Sequence, residues 1–317
     1  MKALRALFTN WFFYGGIAAL GVSFVVLGRR PDFEPAEQLI GIIIFGVILP
    51  LIAWAAMWRA RKIDIELRPT GREMLGLFAY VVALSLYLAF GPQTIDSLLP
   101  QNWRETPLLH LIVKTTLKLL VFVAIPYLLF GRLLGRTWRD FGLSWETVRE
   151  SMRSHLPVVL AISGVMLLFQ YFAGNAALPL RRGDLSAAQL WLGLPLAFVW
   201  LAIEAGLVEE FFFRGLLQAR LAVWFRSEVT AVVLMALTFA IAHAPGMIFR
   251  GAGVVEGLGT NPSAIDAIAY TITTIGPIAI LFGFIWARTK NLFALILIHA
   301  AIDLLPNVTP LVHAWGL

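Results

Sequence analysis

Apolar runs separated by short polar clusters recur along the whole chain. They cover about residues 9–28, 38–58, 73–92, 107–130, 156–173, 188–224, 229–244, 265–287 and 291–305. A helix of roughly 20 residues rises about 30 Å, the thickness of a bilayer's hydrocarbon core. In lipid every backbone N–H and C=O must pair internally, so only helices and closed barrels cross. Barrel strands alternate apolar and polar positions, whereas these runs are continuous. The pattern predicts an all-α polytopic transmembrane helical bundle of about 8–9 spans. The sixth run would reach roughly 55 Å as one helix. It is expected to tilt, to kink near Gly206, or to project into water.

Composition agrees. Of 317 residues, 59% are hydrophobic and 14% charged, and the mean hydropathy is +0.81. A soluble domain needs a more polar surface. The net charge of +6 sits at segment ends, where Lys and Arg orient helices and meet anionic lipid. Membrane lipids, not nucleic acid, are the expected partners of that charge. The chain has no cysteine, which excludes disulfides, a thiol nucleophile and a Cys-ligated metal. Lys2 and Arg5 precede the first run, but no Ala-x-Ala pattern follows it. It therefore reads as an uncleaved span.

The basic residues also set an orientation. With the N-terminus in the cytoplasm, Arg59, Arg61, Lys62, Arg68 and Arg72 fall inside, as do Arg132, Arg136, Arg139, Arg149 and Arg153. Arg220, Arg226, Arg288 and Lys290 join them. This predicts an integral protein of the cell's inner (plasma) membrane with an odd number of spans and an outer C-terminal tail. Residues 132–155 suit an amphipathic helix on the inner face. They divide the chain into an N-terminal membrane bundle, 1–145, and a chemically richer domain, 146–317. The Gly-rich stretch 245–264 is expected to be a flexible outer loop. Its GxG spacing follows no strand, so it signals no dinucleotide site.

Ionisable side chains within a span are costly and normally face a partner or a cavity. Glu209, Glu210 and Arg214 lie in the sixth run, His243 near the end of the seventh, and His299 with Asp303 in the last. Turns near Arg226 and Lys290 would bring these groups to compatible depth, with Glu209 and His243 each about 17 residues from the first turn, roughly 25 Å along a helix. Glu210 and Arg214 stand at i and i+4, the favoured order for an ion pair, and His299 and Asp303 share one face. Glu209 points about 100° from Glu210 and has no local basic partner. A carboxylate in apolar surroundings has a raised pKa, which suits a general base. A neutral imidazole beside it could hold the attacking water or donate to an oxyanion. The same residues could also form a buried ion network, packing hydrogen bonds or, for His299 with Asp303, part of a metal site. Glu204 could line the cavity or serve packing. Lys114, Lys118 and His110 share a face of the fourth run and read as interfacial snorkelling groups. His155 and His313 read as loop or interface residues.

At these positions the sequence resembles the CPBP family, the CAAX proteases and bacteriocin-processing enzymes. Glu209-Glu210-x-x-x-Arg214 matches its EExxxR motif, Phe239-x-x-x-His243 its FxxxH motif, and His299-x-x-x-Asp303 its final HxxxN/D motif. The resemblance covers about residues 187–305. It implies a type II CAAX prenyl endopeptidase-like intramembrane peptidase with a glutamate-activated water. Glu209 would be the base, His243 would help hold the water, and His299 with Asp303 would form the oxyanion hole. Glu210 and Arg214 would support the site. It implies a peptide or lipidated protein substrate and no cofactor, with zinc held by Glu209, His243, His299 and Asp303 as the alternative. Eukaryotic and archaeal members typically carry Asn where this chain has Asp303. An ionised Asp accepts but cannot donate, so Asp303 would either be protonated or orient His299. A non-catalytic scaffold or immunity protein on the same fold, and a proton-coupled transporter, are the other functional classes. No inverted repeat supports the transporter.

Overall fold

A computed structural model of the chain describes residues 8–31, 33–249, 258 and 262–317. Ten principal helices are α1 (Trp11–Leu27), α2 (Pro35–Ala56), α3 (Gly71–Leu98), α4 (Pro107–Leu134), α5 (Trp145–Arg153), α6 (Leu156–Ala173), α7 (Ala187–Trp224), α8 (Glu228–Phe249), α9 (Ala264–Thr289) and α10 (Leu292–Ala314). No strand occurs among the described residues. Eight of the helices are long and apolar enough to cross a membrane, and α1, with 17 residues, is a shorter apolar helix. This is an all-α polytopic integral membrane protein.

Each expected span is a helix, but three run on past a proline at or just before which they were expected to end. The expected ends at 92, 244 and 305 fall at or just before Pro92, Pro245 and Pro306, whereas the helices run on to Leu98, Phe249 and Ala314. Proline stops helices in water, yet a membrane helix tolerates it where neighbours satisfy the freed carbonyl. Pro306 illustrates how. It has no N–H for the carbonyl of Ile302, and Gln170 Nε2 on α6 donates to that oxygen instead, at 2.6 Å. Extension of α8 shortens the expected 245–264 loop. Of that loop, residues 250–257 and 259–261 lie outside the described residues.

The chain forms two compact units. The first comprises Met1–Leu51, Glu66–Thr94 and Leu217–Arg288. In it α1 runs parallel to α8. The Asn10 side chain caps α1 by accepting from the Phe12 and Phe13 amides, and its Nδ2 donates to Ser227 Oγ and Thr230 Oγ1 at the start of α8. One turn and a half further on, Gly16 faces Val233. At the other end of α1, Arg30 pairs with Asp266 at 2.9 Å. The turn between α7 and α8 lies at Arg226, whose φ is 51°.

This unit also buries an ion pair that local sequence spacing does not announce. Arg220 Nε donates to Glu73 Oε1 at 2.7 Å, with both side chains within 2% of full burial. Removing one partner of such a pair leaves a buried charge unmatched, at a cost of about 3–5 kcal/mol. Arg220→Met is therefore expected to lower the melting temperature in detergent markedly, and the double variant Arg220→Met, Glu73→Leu to recover most of the loss. Equal melting of wild type and Arg220→Met would show the pair to be dispensable.

The second unit comprises Ile52–Ile65, Ile95–Leu216 and Thr289–Leu317. Its centre is α10, packed against α6 and antiparallel to α7 through Ala197, Leu201, Ala300, Leu304, Val308 and Val312. The close approach at Gly206 requires glycine: a Cβ there would stand 2.8 Å from the Ile296 carbonyl oxygen. The start of α10 is fixed by Asn291. Its Oδ1 accepts from the Ala294 amide, while Nδ2 faces the Thr147 carbonyl at 2.9 Å, Ser151 Oγ at 2.8 Å and His155 Nδ1 at 2.7 Å. His155 Nε2 in turn donates to the Arg61 carbonyl. His155 is thus a fully buried structural residue, not the interface residue its sequence position suggested. The segment around 132–155 is helical only in pieces, and α5 docks its Thr147–Ser151 face on α10 while Trp145 stays exposed.

Candidate active site

The site is built around an irregular stretch of α7. Val208–Glu210 is a single α-helical turn between π-helical stretches at Ala202–Leu207 and Phe211–Gln218. A π turn accommodates one extra residue, and such insertions concentrate at functional sites. Residues five apart across it fall about where residues four apart otherwise do. Glu204 and Glu209 are related in this way.

Glu210 and Arg214 form the expected pair, with Nη1 to Oε1 at 3.1 Å and no exposure of either side chain. The same Glu210 oxygen accepts from His299 Nδ1 at 2.7 Å. With its Nδ1 held there, the His299 ring directs Nε2 towards two more carboxylates. These are Glu209 Oε2 at 3.7 Å and Asp303 Oδ2 at 3.5 Å, ion-pair separations rather than short hydrogen bonds. Glu209 and Asp303 keep 19% and 33% of their side-chain exposure, against none for Glu210. The two neighbouring glutamates therefore occupy different environments: one is a dry structural anchor, the other is open to solvent or substrate. Phe122 of α4 and Phe213 each meet the Phe212 ring edge-on.

Lys118 supplies a cation from α4. Its ammonium pairs with Glu204 and also lies in the field of Glu209 and Asp303. This corrects its reading as a snorkelling group. Lys118 lies well inside α4, which runs over 28 residues, and that position was the available signal. Lys114 and His110 belong to a separate cluster, on Asp96 at 3.3 and 2.9 Å. Lys118→Met is expected to reduce turnover of a cleaved peptide about tenfold, or about 1.4 kcal/mol, with thermal unfolding measured beside it to separate any loss of fold. Lys118→Arg should retain most of the rate. Unaltered kinetics of Lys118→Met in proteoliposomes would remove it from the site.

His243 and Phe239 lie in the first unit, on α8. Phe239 is buried and His243 half-buried. His243 Nδ1 donates to the Phe239 carbonyl at 2.8 Å, and the rings lie 4.6 Å apart. A carbonyl can only accept, so in the neutral ring this bond places the proton on Nδ1 and leaves Nε2 an acceptor. The four-residue spacing of Phe239 and His243 thus selects a tautomer. His313 is exposed near the end of α10. Among the described residues no group of three or more His, Asp or Glu side chains is arranged to hold a metal ion.

Residues 191–305 match the family model described as type II CAAX prenyl endopeptidase Rce1-like. Over this segment the chain is similar to the CAAX protease family, and the match supports, at family level, an intramembrane protease of the CAAX type. No curated protein and no solved structure matches the chain. The matched segment begins in α7 and ends in α10, so it contains Glu209, Glu210, Arg214, His299 and Asp303, which the second unit brings together. Lys118 lies outside it, as do Thr147, Ser151 and His155, which hold Asn291. A motif comparison cannot find such residues, because they act through tertiary contact.

Proposed function

We propose that this chain is an endopeptidase in which Glu209 activates the attacking water. The observation that carries the reading is the division of labour around His299: Glu210 holds Nδ1, and Nε2 faces Glu209 and Asp303. Glu209 takes a proton from water, and the hydroxide attacks the peptide carbonyl. His299, protonated on both ring nitrogens, donates Nε2–H to the oxyanion that forms, and Glu209 returns the proton to the leaving amine. Asp303 accepts from and orients the ring, the role open to an ionised carboxylate. Arg214 pairs with Glu210 and holds it in place. His243 enters this reading on its motif, as the group that helps hold the water. The substrate is a peptide or lipidated protein presented within the plasma membrane, with the N-terminus of the enzyme cytoplasmic. A peptide-library cleavage assay in liposomes, with Glu209→Ala as control, tests the assignment. Identical products from both proteins would refute it.

The mechanism requires no metal. His299 commits Nδ1 to Glu210, and the remaining groups suffice for acid–base chemistry. Zinc would instead need about three protein ligands at roughly 2.0–2.2 Å and one open position. Activity is expected to survive chelators, and the purified active protein to lack stoichiometric zinc by elemental analysis. One tightly bound zinc per chain, with activity lost on its removal and restored on its return, would establish a metalloprotease instead.

A further inference from the structure

Where α7 turns into α8, two arginines line one cleft. Arg68 and Pro69, from the segment leading into α3, line it with Val223, Trp224 and Arg226, enclosing about 370 Å³. All five residues belong to the first unit. The arrangement is held by backbone geometry. Arg226 sits in the turn with φ 51°, its amide bonded to the Val223 carbonyl, and the first residue of α3, Gly71, approaches the Trp224 ring. Neither Arg68 nor Arg226 makes a side-chain hydrogen bond or an ion pair among the described residues. Two like charges on one cleft repel each other unless an anion joins them.

The surroundings indicate which anion. Arg226 joins two apolar helices, so the cleft opens at a membrane surface. The Lys and Arg bias assigns that side to the cytoplasm, where anionic lipid concentrates its charge. Val223, Trp224 and Phe225 are 42%, 49% and 41% exposed, an apolar strip beside the arginines. Tryptophan favours this headgroup depth. Guanidinium forks match phosphate oxygens bidentately. The cleft volume falls in the range of small-molecule sites, roughly 300–1,000 Å³, larger than a bare phosphate ion fills.

We propose that this cleft binds the phosphodiester head group of an anionic glycerolipid. The phosphate bridges Arg68 and Arg226, and the proximal acyl chain lies over Val223 and Trp224. The site is separate from the candidate active site and does not depend on catalysis.

Native mass spectrometry of the purified full chain tests it, with defined phosphatidylglycerol, phosphatidylcholine and inorganic phosphate as probes. Wild type is expected to retain phosphatidylglycerol over phosphatidylcholine by about tenfold or more. The double variant Arg68→Gln, Arg226→Gln should lose that preference, and millimolar inorganic phosphate should not displace the lipid. Arg68→Gln alone, in an exposed segment, serves if the double variant fails to fold, and should weaken retention measurably. Unchanged retention in a folded variant, or equal retention of the two lipids by wild type, overturns the site. Displacement of the lipid by inorganic phosphate overturns the lipid as ligand and leaves a soluble phosphate site.

Discussion

Glu209→Gln is expected to abolish cleavage while leaving the protein folded. Gln has the same size and shape but cannot take a proton from water. Loss of a positioned general base costs about 10²–10⁴-fold in rate. The substitution should be mild for folding, because Glu209 retains 19% side-chain exposure and Arg214 holds Glu210, not Glu209, in the buried pair. Turnover of a cleaved peptide in proteoliposomes, measured beside thermal unfolding in detergent, separates the two effects. Wild-type turnover by Glu209→Gln would rule out this residue as the base, whatever the fate of the fold.

Glu210→Gln should do the reverse first: it should destabilise. Glu210 is completely buried and accepts from both Arg214 and His299 through one oxygen. Its neutralisation strands the Arg214 guanidinium, itself fully buried, at a cost of about 3–5 kcal/mol. Melting temperature and yield should fall well below those of Glu209→Gln. Activity should fall as well, because His299 loses the carboxylate that aims it. Arg214→Met is expected to destabilise comparably by stranding Glu210. A Glu210→Gln protein as stable as wild type would show that His299 and Arg214 are held by other contacts.

These two neighbours illustrate what was legible in the sequence. Apolar runs gave the helices because lipid leaves the backbone few alternatives. Helical spacing paired Glu210 with Arg214 and placed His299 and Asp303 on one face. It could not show that His299 reaches across to Glu210, 89 residues away in the chain, because nothing in local spacing encodes an interhelical partner. The same limit hid Glu73 from Arg220, Lys118 from Glu204 and Asn291 from His155. The expected ends fell short at Pro92, Pro245 and Pro306, which the helices run past. The irregularity expected near Gly206 falls in the first π stretch of α7, Ala202–Leu207, where Gly206 approaches Ile296 of α10. The second stretch, Phe211–Gln218, had no such signal.

Pro306 removes one rung from the hydrogen-bond ladder of α10, and Gln170 supplies it from α6. A helix completed by a side chain of another helix stays incomplete until that neighbour is beside it. During biogenesis α6 leaves the ribosome well before α10, so the donor is already in the bilayer when the acceptor arrives. The repaired carbonyl belongs to Ile302, next to Asp303 and less than one turn from His299. The site is thus finished only when α10 inserts, after α6 and α7 are in place. A nascent chain built in this order carries no assembled centre until α10 enters the membrane.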